Sequence, residues 1–249
     1  MLITSGYVDI STPDGGSMRT FVAAPKLEGK YPGILFYSDI FQLTGPMLRS
    51  CARLAGYGFV AAAPEIYHRL EPPGAVIPFD DDGRTRGLED AGHTSVAHFD
   101  VDCRAALGYL GKHQNVAPGQ IGAAGFCLGG HLAFRAALQP EVRATACFYG
   151  TGIHSGKLGE DADAGSLQRA PEIRGELLLV WGRDDPHIPE DGRERIAASL
   201  REAGASFSER LYQAEHAFMR DEGARYDAQA TDQAFGEMIS LFRRVFPVG

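Results

Sequence analysis

The chain has 249 residues, 44% of them hydrophobic and 22% charged, with a formal net charge of −8 at pH 7. The composition is that of a globular protein rather than a disordered or fibrous one, and the acidic balance disfavours nonspecific binding to nucleic acid. The first fifteen residues lack the basic start and apolar run of a secretory leader, and no segment approaches a membrane span. The expectations are one domain over residues 1–249, a cytoplasmic location, and no nucleic-acid or membrane partner; the oligomeric state is not legible.

In chain order, Gly6–Ile10 and Met18–Ala23 flank the turn-rich stretch Ser11 to Ser17, which predicts an antiparallel hairpin at a sheet edge. Apolar, strand-like runs then alternate with amphipathic segments. Gly33–Tyr37 precedes Pro46–Leu54, Phe59–Ala63 precedes Val96–Leu110, and Ile121–Phe126 precedes Leu132–Leu138. Ala144–Tyr149 follows, then Glu176–Trp181 with Arg193–Ala203, a last strand at Ser206–Tyr212 and a closing helix at Asp227–Phe246. The alternation predicts an α/β fold with a mainly parallel sheet covered on both faces by helices. Leu70 to Asp90, rich in Pro, Gly and Asp, is too long for a simple connection and reads as a lid or binding loop, or as a surface insertion.

The cysteines Cys51, Cys103, Cys127 and Cys147 show neither C-x-x-C nor Cys/His zinc spacing, so no metal and no disulfide framework is expected. Cys127 stands apart. It lies between the strand-like run ending at Phe126 and a helical segment, flanked by Gly125, Gly129 and Gly130. A nucleophile on a strand-to-helix turn needs small neighbours two residues to either side, and the helix that starts there offers unpaired N–H groups to an oxyanion. A buried packing cysteine beside a glycine turn is the plainer alternative. No G-x-S-x-G occurs, so a serine nucleophile has no visible place.

A thiol nucleophile needs a base, and the base needs an orienting acid. The run Leu177 to Trp181 empties into Gly182-Arg-Asp-Asp-Pro-His-Ile-Pro189, where Asp185 is preferred to Asp184. His216 follows the last strand, on a loop before the final helix, and is preferred as base to His187 beside the acidic turn and to His131 within the helical segment.

With these residues in place, the chain resembles the dienelactone hydrolase family over nearly its whole length. The resemblance rests on Ser38-Asp-Ile-Phe41, Pro64-Glu-Ile-Tyr-His-Arg69, Gly125-Phe-Cys-Leu-Gly-Gly130, Gly182 with Asp185, and His216 through Phe218 to Arg220. It implies an α/β-hydrolase fold, a triad of Cys127, His216 and Asp185, and an oxyanion hole made by the N–H groups of Leu128 and Ile40. It also implies that Arg69 and Arg220 hold a substrate carboxylate. A thiol-activating glutamate of the family falls at Asp39, one methylene shorter. For Asp39 the alternative is a turn cap, and for either arginine a surface ion pair.

The expected activity is hydrolysis of a small lactone or ester through a thioester, with no cofactor. Two other classes stay open: a binding protein that keeps the elbow without turnover, and a redox-responsive thiol.

Overall fold

The computed structural model describes residues 1–246; residues 247–249, which the single-domain expectation includes, lie outside the described residues. Its strands are β1 (Ile3–Ser11), β2 (Ser17–Pro25), β3 (Tyr31–Tyr37), β4 (Val60–Pro64), β5 (Val116–Phe126), β6 (Val142–Phe148), β7 (Glu176–Gly182) and β8 (Ser206–Tyr212). The helices are α1 (Gly45–Gly56), α2 (Asp81–Gly92), α3 (Val96–Lys112), α4 (Leu128–Ala136), α5 (Glu190–Glu202) and α6 (Ala228–Val245).

All eight strands form one sheet in the order β1-β2-β4-β3-β5-β6-β7-β8. β1 pairs antiparallel with β2, Ser11 opposite Ser17, and β2 pairs antiparallel with β4. From β4 across to β8 every pairing is parallel. The inner strands carry the apolar runs that burial on both faces requires; every residue of β4 is buried, as are the last six of β7. The helices cover this sheet, and Trp181, Phe36, Phe148 and Phe134 are among the largest side chains enclosed between the layers. Among the described residues, no helix is long and apolar enough to cross a membrane.

The topology places the site. From β3 the chain moves to β4 on one side, then returns to lay β5 on the other side of β3. The loops leaving β3 and β5 therefore diverge, and the crevice outside their carboxyl ends is where an open α/β sheet binds its ligand.

Two segments differ from their sequence-based expectation. Helix α4 starts at Leu128, several residues before Leu132, because Cys127 itself terminates the strand and caps the helix. The stretch 70–90 is not irregular throughout, since α2 begins at Asp81. Asp80 caps this helix by accepting the Gly83 N–H at 2.7 Å, and Asp81 and Asp82 complement the dipole in its first turn. Its buried residues are only Gly83, Gly87 and Ala91, so it carries no hydrophobic stripe for a periodicity argument to find.

Candidate active site

Cys127 sits between β5 and α4 with φ +58° and ψ −120°, a conformation that costs a non-glycine residue about 1–3 kcal/mol and persists only where the surroundings enforce it. The surroundings here are backbone. A Cβ on Gly125 would lie 2.0 Å from the Gly129 carbonyl oxygen, and one on Gly129 would lie 2.1 Å from that of Ser38. The glycines flanking the cysteine are thus steric requirements of the turn. The Cys127 N–H donates to the Phe148 carbonyl at 3.0 Å, fixing the turn to the end of β6.

Two residues bordering the same crevice are the candidate backbone donors. Leu128 is the first residue of α4, with no preceding turn to accept its N–H, and Ile40 lies on the loop after β3. Among the described residues neither N–H has a hydrogen-bond partner. Both residues line the cleft with Cys127.

His216 follows β8 and meets Asp185, which follows β7, with Nδ1 and Oδ2 2.7 Å apart. Both residues are buried, and the other Asp185 oxygen accepts the His187 N–H at 2.8 Å. Asp184 is elsewhere, accepting from the Gln213 amide at 2.6 Å. Burial presses the His216 imidazole toward its neutral form. The negative charge of Cys127 and hydrogen bonding to Asp185 and Cys127 act the other way and prevail, raising its pKa to about 9. Tyr149 packs edge-on against the ring, 5.2 Å between centroids.

The competing histidines are placed differently. His131 is fully enclosed, its ring nitrogens engaged by the Thr151 carbonyl at 3.0 Å and the Ser166 hydroxyl at 2.7 Å; burial first, then the nearby Arg135 charge, pushes its pKa down to about 3. His187 does line the cleft, its ring 4.8 Å from that of His216.

Asp39 faces Arg220. The Arg220 guanidinium donates to Asp39 Oδ2 at 2.5 and 3.2 Å, while Oδ1 accepts the Phe41 N–H at 2.9 Å. The carboxylate therefore both closes the turn, as its plainer alternative supposed, and neutralises the arginine. Arg220 reaches the cleft and its guanidinium lies over the rings of Phe41 and Phe79.

Arg69 stands apart from these groups. It is not among the residues lining the cleft, and its donors are taken by Asp102 at 2.6 and 2.8 Å and by Asp14 at 2.7 and 2.9 Å. It ties the segment after β4 to the β1–β2 turn and to α3.

The cleft over these groups encloses about 800 Å³, a size that suits a small organic ligand. One wall is α2, with Arg84 and Leu88; another is the segment 151–160, with Lys157 and Leu158; Arg225 completes the mouth. Sequence reasoning named none of these residues singly: Arg84 and Leu88 fall within the 70–90 stretch read as a lid or binding loop or a surface insertion, whereas Lys157, Leu158 and Arg225 stand on segments without periodicity or motif. The Asp80 cap with its acidic first turn was the one local signal pointing to α2.

The dienelactone hydrolase family model matches residues 18–246. The chain belongs to the dienelactone hydrolase family. A Saccharomyces cerevisiae protein provisionally named a carboxymethylenebutenolidase is 37% identical, over 98% of this chain and 93% of its own length. The carboxymethylenebutenolidase of Pseudomonas sp. strain P51 is 25% identical, over 100% and 98%. Among solved structures, a provisionally named Klebsiella pneumoniae dienelactone hydrolase superposes with a TM-score of 0.82 at 24% identity, covering 98% of this chain and 100% of that one. The fold is the α/β-hydrolase fold, and membership of this family makes the protein a hydrolase of lactone or ester bonds.

Proposed function

We propose that the protein hydrolyses small carboxylate-bearing lactones or esters through a Cys127–His216–Asp185 triad and a thioester intermediate. The observation that carries this reading is the convergence on one crevice of a cysteine held at positive φ, the hydrogen-bonded His216–Asp185 pair and two N–H groups without partners.

In this mechanism His216 takes the Cys127 proton and the sulfur attacks the carbonyl carbon. The N–H groups of Leu128 and Ile40 hold the tetrahedral oxyanion, each such donor being worth about 2.7–4 kcal/mol in the transition state. The C–O bond then breaks as the imidazolium returns the proton to the departing oxygen, leaving an acyl thioester. A water deprotonated by His216 releases the acid and restores the thiol. Asp185 fixes the imidazole tautomer and stabilises its charged form. Arg220 is the candidate carboxylate anchor, and a substrate carboxylate arriving there competes with Asp39 for the guanidinium.

The test is turnover of an aryl acetate and of a carboxylate-bearing dienelactone by the wild type and Cys127→Ser. Turnover lost in the variant, with an unchanged melting temperature, is the expected result; undiminished hydrolysis in the variant would refute the thiol mechanism.

A further inference from the structure

The loop between β3 and α1 contains a residue in a conformation that favours glycine. Gln42 has φ +64°, which is disfavoured for a residue with a Cβ and persists only where the surroundings enforce it. A glycine would hold this turn without strain, so what glutamine adds is its side chain. Gln42 is 1% exposed, and its amide meets backbone on the segment after β4. Oε1 accepts the Tyr67 N–H at 3.2 Å, and Nε2 lies 3.5 Å from the Ala75 carbonyl oxygen. Neither backbone group has another partner among the described residues.

Gln42 also grips the peptide unit that carries the Ile40 N–H. Residues 39–42 form a turn in which the Gln42 N–H donates to the Asp39 carbonyl at 3.2 Å and the Phe41 N–H donates to Asp39 Oδ1 at 2.9 Å. The Asp39 carbonyl and the Ile40 N–H belong to one planar trans peptide and point in opposite directions. The bond from Gln42 therefore sets the direction of the Ile40 N–H. Of the N–H groups of Ile40, Phe41 and Gln42, that of Ile40 alone is not used within the turn.

The loop is held from a second side. Tyr67, whose N–H meets Gln42, donates its buried hydroxyl to the Gly87 carbonyl at 3.1 Å. Gly87 packs so closely on Ile40 that a Cβ there would lie 2.3 Å from the Ile40 carbonyl oxygen. The path from Gln42 through Tyr67 and Gly87 to Ile40 thus closes on the turn where it began. A donor held by such a closed set of contacts is pre-organised, as stabilising an oxyanion requires.

Resting on the reading above that Ile40 supplies an oxyanion donor, we propose that Gln42 is a positioning residue, whose left-handed backbone and buried amide together set the orientation of the Asp39–Ile40 peptide. The oxyanion develops on the way to the tetrahedral intermediate and is absent from bound substrate, so the effect falls on kcat rather than KM.

Two variants separate the amide from strain and volume. Gln42→Gly relieves the backbone and removes the side chain; Gln42→Met keeps the strain and most of the volume; both lose the amide. Each should lower kcat for an aryl acetate about ten- to a hundredfold, the scale of a misplaced oxyanion donor, with KM within about twofold of wild type. Either variant suffices where the other fails to fold. Alkylation of Cys127 by iodoacetamide, followed on the Cys127 peptide by mass spectrometry, is the control. Displacement of iodide by the sulfur creates no oxyanion, so this rate reports the thiol and its base and should match wild type in both variants. Alkylation slowed in step with turnover would mean general damage to the site and would overturn the positioning role. A wild-type kcat in either variant would overturn it too, since strain or volume would then account for any loss in the other. Those results leave the triad standing provided that Cys127→Ser abolishes turnover. Turnover persisting in Cys127→Ser would instead refute the triad reading on which the role rests.

Discussion

The wall of the cleft built from residues 151–160 is tied to the nucleophile helix by side chains withdrawn from solvent, whereas the wall built from α2 leans on close backbone packing and on charges near the surface. In the first, the Thr151 N–H donates to the Cys127 carbonyl at 3.2 Å and the Thr151 carbonyl accepts from His131. The network continues through Ser166 to Arg135, which also donates to the Ala164 carbonyl at 2.7 Å and pairs with Asp100 at 2.6 and 2.8 Å. In the second, Gly87 packs on the Ile40 carbonyl and accepts from the Tyr67 hydroxyl at 3.1 Å, and Arg86 pairs with Glu71. The first wall is over-determined and fixed to the elbow. The second is held by fewer and more solvated interactions, so it is the cheaper of the two to displace.

The sharpest break in this comparison is Arg135→Leu. Arg135 is 4% exposed and donates to Asp100, Ser166 and the Ala164 carbonyl together, so its loss removes the close partner of Asp100, leaving it only Arg169 at 3.7 Å, and deprives the Ala164 carbonyl of that donor. Removing one member of such a buried pair typically costs about 3–5 kcal/mol, and denaturant unfolding should show a loss of that order. Against α2 the corresponding variant is Gly87→Ala. Its Cβ would lie 2.3 Å from the Ile40 carbonyl oxygen, so helix and loop must part. The stability cost should be about 1–3 kcal/mol, as for other overpacked sites. The effect on kcat should exceed it in consequence, about ten- to a hundredfold, because the loop that moves carries the Ile40 N–H. The expected loss of stability with kcat per folded molecule unchanged would show that α2 does not position that donor.

What was legible in the sequence follows the same division. Gly125, Cys127 and Gly129 announce themselves because the backbone at the elbow leaves no room for a Cβ, a local constraint written within five residues. Asp185 and His216 were legible from their places at the ends of successive strands. Helix α2 was not, since it buries glycine and alanine where an apolar stripe would betray a helix. The ion pairs of Arg69 were not legible for a different reason: the motif that carries it lies just after β4, but its partners Asp102 and Asp14 lie 33 and 55 residues away in the chain. Pairings across such distances decide whether an arginine serves a ligand or the scaffold, and nothing local encodes them. The cations of the cleft mouth went unnamed on the same ground.

The subtlest expectation is that the two walls respond to pH in opposite senses. His131 titrates near 3 in the folded protein against about 6.5 unfolded, so its contribution is fully present above pH 6.5 and is lost as pH falls through about 3. Asp90 in α2 behaves inversely. Burial, the Glu71 carboxyl and the Glu89 charge raise its pKa from 3.8 to about 6, against the opposing charge of Arg86. Its stabilisation is fully present below pH 3.8 and is lost as pH rises through about 6. Between pH 7 and pH 5, therefore, α2 should tighten while the segment 151–166 loosens. Hydrogen exchange, corrected for the intrinsic pH dependence of the amide rates, should show protection rising in residues 81–92 and falling in residues 151–166 over that interval. Asp90→Asn should flatten the first change and leave the second intact. Protection moving the same way in both walls would mean that one global equilibrium governs them, and that the buried network does not set the 151–160 wall apart.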